Sequence, residues 1–243
     1  MDFNLLIGGA AGQGMETLSA TFSKILQKRG YHLFTLQDYM SRVRGGHNFF
    51  QIRFSENPVK THRDEIDGII ALNTETITLH LPRLAKDGFI LADTDVSHED
   101  PRLLKIPAKA LAKEAGNPKV SSSAILGALL KILGMDEGHL EDILSIKFKE
   151  DIVKQNLTAF LSGYDIPEKR FEEPKLQQED TMLIQANESI ALGALAAGMK
   201  FYSAYPMTPA TSIMSYLVKK SKEAKVVVEQ AEDEIAALNM ALG

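Results

Sequence analysis

Four clusters in this chain carry residue types whose spacing suits chemistry. The first is Gly8-Gly9-Ala10-Ala11-Gly12-Gln13-Gly14, between an apolar run and a stretch with helical spacing. Backbone N–H groups at a helix start have no intrahelical acceptor and meet the positive end of the helix dipole, so such a turn suits a phosphate-type anion. Gly9, Gly12, Gln13 and Gly14 are the candidate binding residues, and a tight turn used only for packing is the competing reading. In the dinucleotide frame G-x-G-x-x-G counted from Gly9, Ala11 occupies the second glycine position and only Gly14 fits the third. The second cluster, Arg42-Val43-Arg44-Gly45-Gly46-His47, enters an alternating segment from Asn48 to Phe54. Paired guanidinium groups clamp phosphate or carboxylate; alternatively, Arg42 and Arg44 pair with Asp38 or Glu56. His47 reads as a hydrogen-bonded structural residue in preference to a base. The third cluster, Tyr205-Pro206-Met207-Thr208-Pro209-Ala210-Thr211, has hydroxyls on a proline-stiffened loop, where Thr208 either faces a ligand or caps the next helix. The fourth is Glu232-Asp233-Glu234 at a helix start, where the dipole alone favours acids.

The elements that must position these groups alternate along the chain. Strand patterns lie at Phe3–Ile7, 32–36, 48–54, 68–72 and 89–92, and helical periodicity at 15–29 and 75–86, the latter closed by Asp87-Gly88. This rhythm predicts βαβ units and a mostly parallel sheet, an α/β fold. Helical periods at 122–133, 140–146 and 148–161 predict a cap packed beside the sheet. From Asp165 to Asp180 nine of sixteen residues are charged and two are proline, the composition of a linker. Expected domains are therefore 1–164, a linker over 165–181, and a second α/β region over 182–243. In that region helices are expected at 189–198 and 210–221, strands at 201–204 and 225–229, and a helix from about Ala231. The 225–229 strand reads as buried, and the chain stops inside the helix that follows, so this stretch is expected to be part of something larger.

Composition narrows the function. The chain has 243 residues, net charge −5 and no cysteine. Disulfides, cysteine zinc sites and iron–sulfur ligation within it are excluded, so any cluster sits on a partner. No basic block argues for nucleic acid. No span is long and apolar enough for a membrane, and the N-terminus lacks a leader pattern, so a cytoplasmic location is expected.

Taken in order, the clusters resemble one family. Gly-Gly-Ala-Ala-Gly-Gln-Gly followed by Arg-Gly-Gly-His resembles the gamma domain of 2-oxoacid:ferredoxin oxidoreductases. Asn187-Glu188, then Tyr-Pro-Met-Thr-Pro-Ala-Thr, then Glu-Gln-Ala-Glu-Asp-Glu-Ile-Ala-Ala, resembles the start of the family's alpha subunit, with Ala186 in place of the usual glycine. The resemblance implies a gamma domain fused to the truncated start of a thiamine-diphosphate pyrimidine-binding domain. It implies CoA-dependent oxidative decarboxylation of a 2-oxoacid, with electrons passed to ferredoxin. In thiamine enzymes a buried glutamate contacts N1′ of the aminopyrimidine; the resemblance assigns this to Glu234, with Glu232 as alternate. It implies that Thr208 contacts substrate and that Arg42 and Arg44 are candidates for coenzyme A phosphates, with the adjacent Gly45 and Gly46 counted among the cofactor-binding candidates. Magnesium and the diphosphate are expected to be shared with a beta subunit in a hetero-oligomer, and the chain alone to be inactive. A non-catalytic coenzyme A-binding or assembly module is the alternative. A self-contained dinucleotide enzyme is disfavoured by the imperfect glycine fingerprint.

Overall fold

Strand β1 (Asp2–Gly9) carries Leu5, Leu6 and Ile7 in succession, all fully buried, a pattern that demands cover on both faces of a sheet. The computed structural model describes residues 1–38, 46–177 and 180–243. After β1 come α1 (Met15–Lys28), β2 (His32–Asp38), β3 (Asn48–Ser55), β4 (Ile66–Ala71), α2 (Thr74–His80), β5 (Leu84–Asp93) and β6 (Leu103–Ile106). Helices α3 (Ala108–Glu114), α4 (Ser121–Leu133), α5 (Leu140–Ser145) and α6 (Glu150–Tyr164) complete the first unit, Met1–Thr181. The six-stranded sheet has the order β2-β3-β1-β4-β5-β6. β1, β4, β5 and β6 pair in parallel, whereas β3 runs antiparallel between β1 and β2. The mostly parallel α/β expectation holds.

Leu5, Ile7, Ile70 and Leu91 face a large core formed with α1, α4, α5 and α6, while Leu6, Ile69, Ile90 and Ala92 face a smaller one beneath α2. Each such side chain contributes about 1.5–3 kcal/mol on burial. The three helices expected as a cap therefore lie on the sheet face and form its principal core layer. α4 and α6 approach closely because Gly127 and Gly163 face backbone: a Cβ on Gly163 would overlap the Ala124 carbonyl, and one on Gly127 the Phe160 carbonyl.

Three local expectations differ from the structure. The helix expected over 75–86 ends at His80, and Leu81–Arg83 forms a 3-10 turn containing Pro82. Asp87-Gly88, expected as a helix stop, lies inside β5 where its register against β4 shifts, which lengthens that strand beyond 89–92. β6 and α3 have no counterpart in the sequence reading; a four-residue strand and a seven-residue helix leave little periodicity to detect. The charged stretch expected as a linker, in turn, lies along the first unit as far as it is described. Phe171 stacks edge-on against Phe3 with ring centroids 4.7 Å apart, and the Arg170 and Phe171 amides donate to the Ile132 carbonyl. Arg29 donates to both Glu173 oxygens, at 2.8 and 2.6 Å, and also pairs with Asp136. Gly30 and Gly134 give the backbone of this stretch room to approach: Cβ atoms there would overlap the carbonyls of Gln177 and Phe171. Its charges form discrete ion pairs while one aromatic ring anchors it, which composition alone could not foretell.

The second unit, Met182–Gly243, holds α7 (Ala186–Ala196), β7 (Phe201–Ala204), α8 (Thr211–Ala224), β8 (Val227–Gln230) and α9 (Glu234–Leu242). β7 and β8 form a parallel pair. The strand expected to be buried is not: Val227 is 59% exposed, as Ile235 (75%) and Leu242 (77%) of α9 also are. A two-stranded sheet with three helices leaves part of its apolar surface uncovered.

Two substitutions test this packing. Gly163→Val should destabilise the chain by about 2 kcal/mol or more, read as a lowered urea midpoint, because backbone on both sides blocks the added methyl groups. Phe171→Ala should speed tryptic cleavage at Lys169, Arg170 or Lys175 severalfold without changing far-UV circular dichroism; cleavage at the wild-type rate would mean that the ring does not anchor the segment.

Candidate functional site

At the carboxyl end of β1 the chain turns through Gly12 (φ 88°) and Gly14 (φ 85°) into α1, conformations that favour glycine. Gly14 is the N-cap of α1 and supplies no side-chain cap. Gln13, expected among the ligand contacts, braces this turn: its Oε1 accepts from the Ala10 amide at 2.7 Å, and its Nε2 donates to the Leu72 carbonyl at 3.2 Å. Gly9 must lack a side chain because a Cβ would meet Gln13 Oε1 at 2.7 Å and Leu72 Cβ at 2.9 Å. Beyond its chain neighbours, no described residue lies within 4 Å of where a Gly12 side chain would begin. Gln13 and the glycines thus hold the turn in one shape, with Ala11, Gly12 and Gln13 exposed. Arg42, Arg44 and Gly45 lie outside the described residues, whereas Gly46 is described, with φ 79°.

Because β3 starts opposite the end of β1, with Asn48 paired to Gly9, His47 is buried beside the turn. Its Nε2 lies 2.7 Å from Nε2 of His80, and His80 Nδ1 is 3.3 Å from the Arg83 guanidinium. Arg83 donates to Gln51 Oε1 at 2.9 Å, and Gln51 donates to Asn4 Oδ1 at 3.1 Å. This is the hydrogen-bonded structural histidine that the sequence suggested, but its partner on α2 carried no sequence signal. Desolvation, then the neighbouring His47 and Arg83, pull the His80 pKa down to about 4. Burial also lowers that of His47, against the opposing pull of Glu75 and Asp38. Both rings are neutral at pH 7, one donating and the other accepting.

Asp93, buried at the carboxyl end of β5, accepts from the Lys109 amide at 2.8 Å and so caps the start of α3 from a distance. Ser122 in the first turn of α4 abuts Gly14: a Cβ on that glycine would sit 3.5 Å from the serine Oγ. Neither residue stood out in the sequence, since an isolated aspartate or serine has no pattern. A cavity of about 380 Å³ lies at the opposite, amino end of the strands, lined by Phe3, Glu65, Asp67, Lys86, Asp87 and Phe171 among others, remote from the glycine turn.

In the second unit, β7 and β8 run in parallel, so the Thr208 loop and the acidic start of α9 leave from the same sheet edge. The Ala231 amide donates to the Ala204 carbonyl and extends the ladder to that edge. Asn187 ties the loop down, its Nδ2 donating to the Pro209 carbonyl and to Ser212 Oγ, both at 2.7 Å. Thr208 does not cap α8, whose N-cap is Ala210. Asp233 caps α9, its carboxylate accepting from the Ala236 amide at 2.7 Å. Glu232, Glu234 and Thr208 are exposed, so the burial expected for the functional glutamate is not provided within this unit. Among the described residues no cluster of acids and histidines could hold a metal ion.

Comparison with known proteins places these geometries. The family model described as "Pyruvate ferredoxin/flavodoxin oxidoreductase" matches residues 4–166, two-thirds of the chain. The chain belongs to this family. Residues 192–243 match the model of its thiamine-diphosphate-binding domain. A Sulfolobus 2-oxoacid:ferredoxin oxidoreductase subunit alpha is 28% identical over 100% of this chain and 48% of its own length. The 2-oxoglutarate:ferredoxin oxidoreductase of Magnetococcus marinus, solved with 2-oxoglutarate, coenzyme A and succinyl-CoA bound, superposes with a TM-score of 0.90 at 25% identity. It is covered over 100% of this chain and 45% of its own. The gamma subunit of a Geobacter sulfurreducens keto/oxoacid ferredoxin oxidoreductase shares the fold of 68% of the chain, with a TM-score of 0.60 over 95% of its length at 23% identity. The chain spans about half the length of the alpha subunits it matches.

The histidine pair makes stability depend on pH. In the unfolded chain histidine titrates near 6.5, so between about pH 6.5 and 4 the unfolded state binds a proton that folded His80 refuses. Stability present at pH 7 is therefore lost as pH falls through that window. His80→Gln should flatten the fall in melting temperature between pH 7 and 4.5. Equal slopes for variant and parent would exclude His80 as its source.

Proposed function

We propose that this chain is the gamma domain, joined to the first part of the thiamine-diphosphate-binding domain, of an enzyme that oxidatively decarboxylates a 2-oxoacid. In this reading a 2-oxoacid and coenzyme A yield an acyl-CoA, carbon dioxide, a proton and two electrons, the electrons passing to ferredoxin. The observation that carries the reading is the agreement of both units, in order and over the whole chain, with a 2-oxoglutarate:ferredoxin oxidoreductase at a TM-score of 0.90.

The residues present fit one side of such a site. Thiamine diphosphate, when bound, supplies the nucleophilic carbon on which a 2-oxoacid is decarboxylated. Glu234 opens α9 at the edge that β7 and β8 share with the Thr208 loop, where its carboxyl would hydrogen-bond N1′ of the aminopyrimidine and hold a proton there. Enclosure by further protein would desolvate that carboxyl and raise its pKa toward proton-sharing. Thr208 offers its hydroxyl to substrate, and Asn187 fixes the loop that presents it. Glu232 stands beside them as an alternate acid. Magnesium finds no ligand cluster among the described residues and is assigned to the beta subunit's share of the site. The iron–sulfur cluster is likewise assigned to a partner, because the chain has no cysteine. The working unit is then a hetero-oligomer with a beta subunit. The glycine turn, together with Arg42, Arg44, Gly45 and Gly46 of the second cluster, is the proposed seat of coenzyme A phosphates. A cytoplasmic setting belongs to the same reading; among the described residues no helix is long and apolar enough to cross a membrane.

Glu234→Gln in the assembled enzyme should reduce turnover by about 10²–10⁴-fold while assembly and coenzyme A binding persist, as for a lost proton-handling carboxyl. Turnover within threefold of the parent would remove Glu234 from that role and transfer the test to Glu232→Gln.

A further inference from the structure

Ser122 is 7% exposed, yet its hydroxyl makes no hydrogen bond among the described residues. Its Oγ still touches solvent, so a water or an arriving ligand can take the bond that no protein group takes. The adjacent Ser123 shows the ordinary solution, donating to Asn156 Oδ1 at 2.6 Å within the α4–α6 interface. Ser122 points elsewhere. Its Cβ and Oγ lie 3.4 and 3.5 Å from where a Gly14 side chain would begin, which places the hydroxyl against the N-cap of α1.

Gly14 leaves the first-turn amides of α1 without a side-chain cap, and beyond its chain neighbours no described residue lies within 4 Å of where a Gly12 side chain would begin. The first turns of two long helices, α1 and α4, thus converge on one spot, and both present donors there: backbone N–H groups from one and a side-chain hydroxyl from the other. The acid of the α1 turn, Glu16, is exposed, where water screens its charge. We infer that Ser122 donates a hydrogen bond to a phosphate-class anion seated on the α1 glycine turn. This deepens the proposed function, resting on its assignment of coenzyme A phosphates to the glycine turn.

The test titrates the full chain calorimetrically with coenzyme A and, separately, with pyrophosphate. Ser122→Ala should weaken binding of both probes about tenfold, the value of one hydrogen bond to a charged oxygen. It should leave the ligand-free melting temperature unchanged or slightly raised, because no protein contact is lost. Ser123→Ala should do the reverse, melting earlier while binding as the parent does. Parental affinity for both probes in Ser122→Ala would overturn the role of Ser122 and leave the glycine-turn assignment standing. Pyrophosphate binding that Ser122 governs, without any for coenzyme A, would uphold the serine and overturn the coenzyme A assignment. A parent that binds neither probe overturns both.

Discussion

The central constraint is the two-sided burial of β1. Leu5, Leu6 and Ile7 alternate between two cores, so the strand can neither slip by one residue nor lie at an edge. Its register with β3 on one side and β4 on the other fixes where its carboxyl end emerges. At that point Gly8 and Gly9 replace bulky residues, because a Cβ on Gly8 would meet Thr76 and His47 and one on Gly9 would meet Leu72. Sheet, α2 and glycine turn therefore come together at backbone distance. The turn inherits its rigidity from the core, with Gln13 adding a brace through Ala10 and Leu72.

That arrangement also explains what the sequence made legible. Long periodic elements such as α1 and α4, and the apolar runs of β1, β3, β4 and β5, were readable because period and burial agree. Pro82 and the Asp87-Gly88 register shift misled the α2 boundary, since a proline-containing turn and a bulged strand together extend a helix-like spacing. The polar segment after α6 was misread for a different reason. Composition counts its charges, but its docking depends on Phe171 and on two glycines, Gly30 and Gly134, far away in sequence.

Among the site residues, spacing identified the glycine turn but not the division of labour within it. Gly12 and Gly14 supply the left-handed backbone, whereas Gln13, itself exposed, braces the turn through Ala10 and Leu72. His80 and Ser122 were invisible because each acquires meaning only through a neighbour supplied by the fold. In the second unit the motifs located Thr208 and Glu234 at one sheet edge, but the expected burial of the glutamate was absent. Burial is a property of surrounding layers, and β7–β8 with its three helices supplies too few of them. The exposed side chains Val227, Ile235 and Leu242 mark the same shortage.

β3 is the one strand that runs against the others, and it does so beside β1. Phe49 consequently stands opposite both Gly8 and Asp38, at the edge where the glycine turn stands. β3 thus couples two ladders: an error of register on either side would carry Phe49 and the neighbouring His47 away from the glycine turn together.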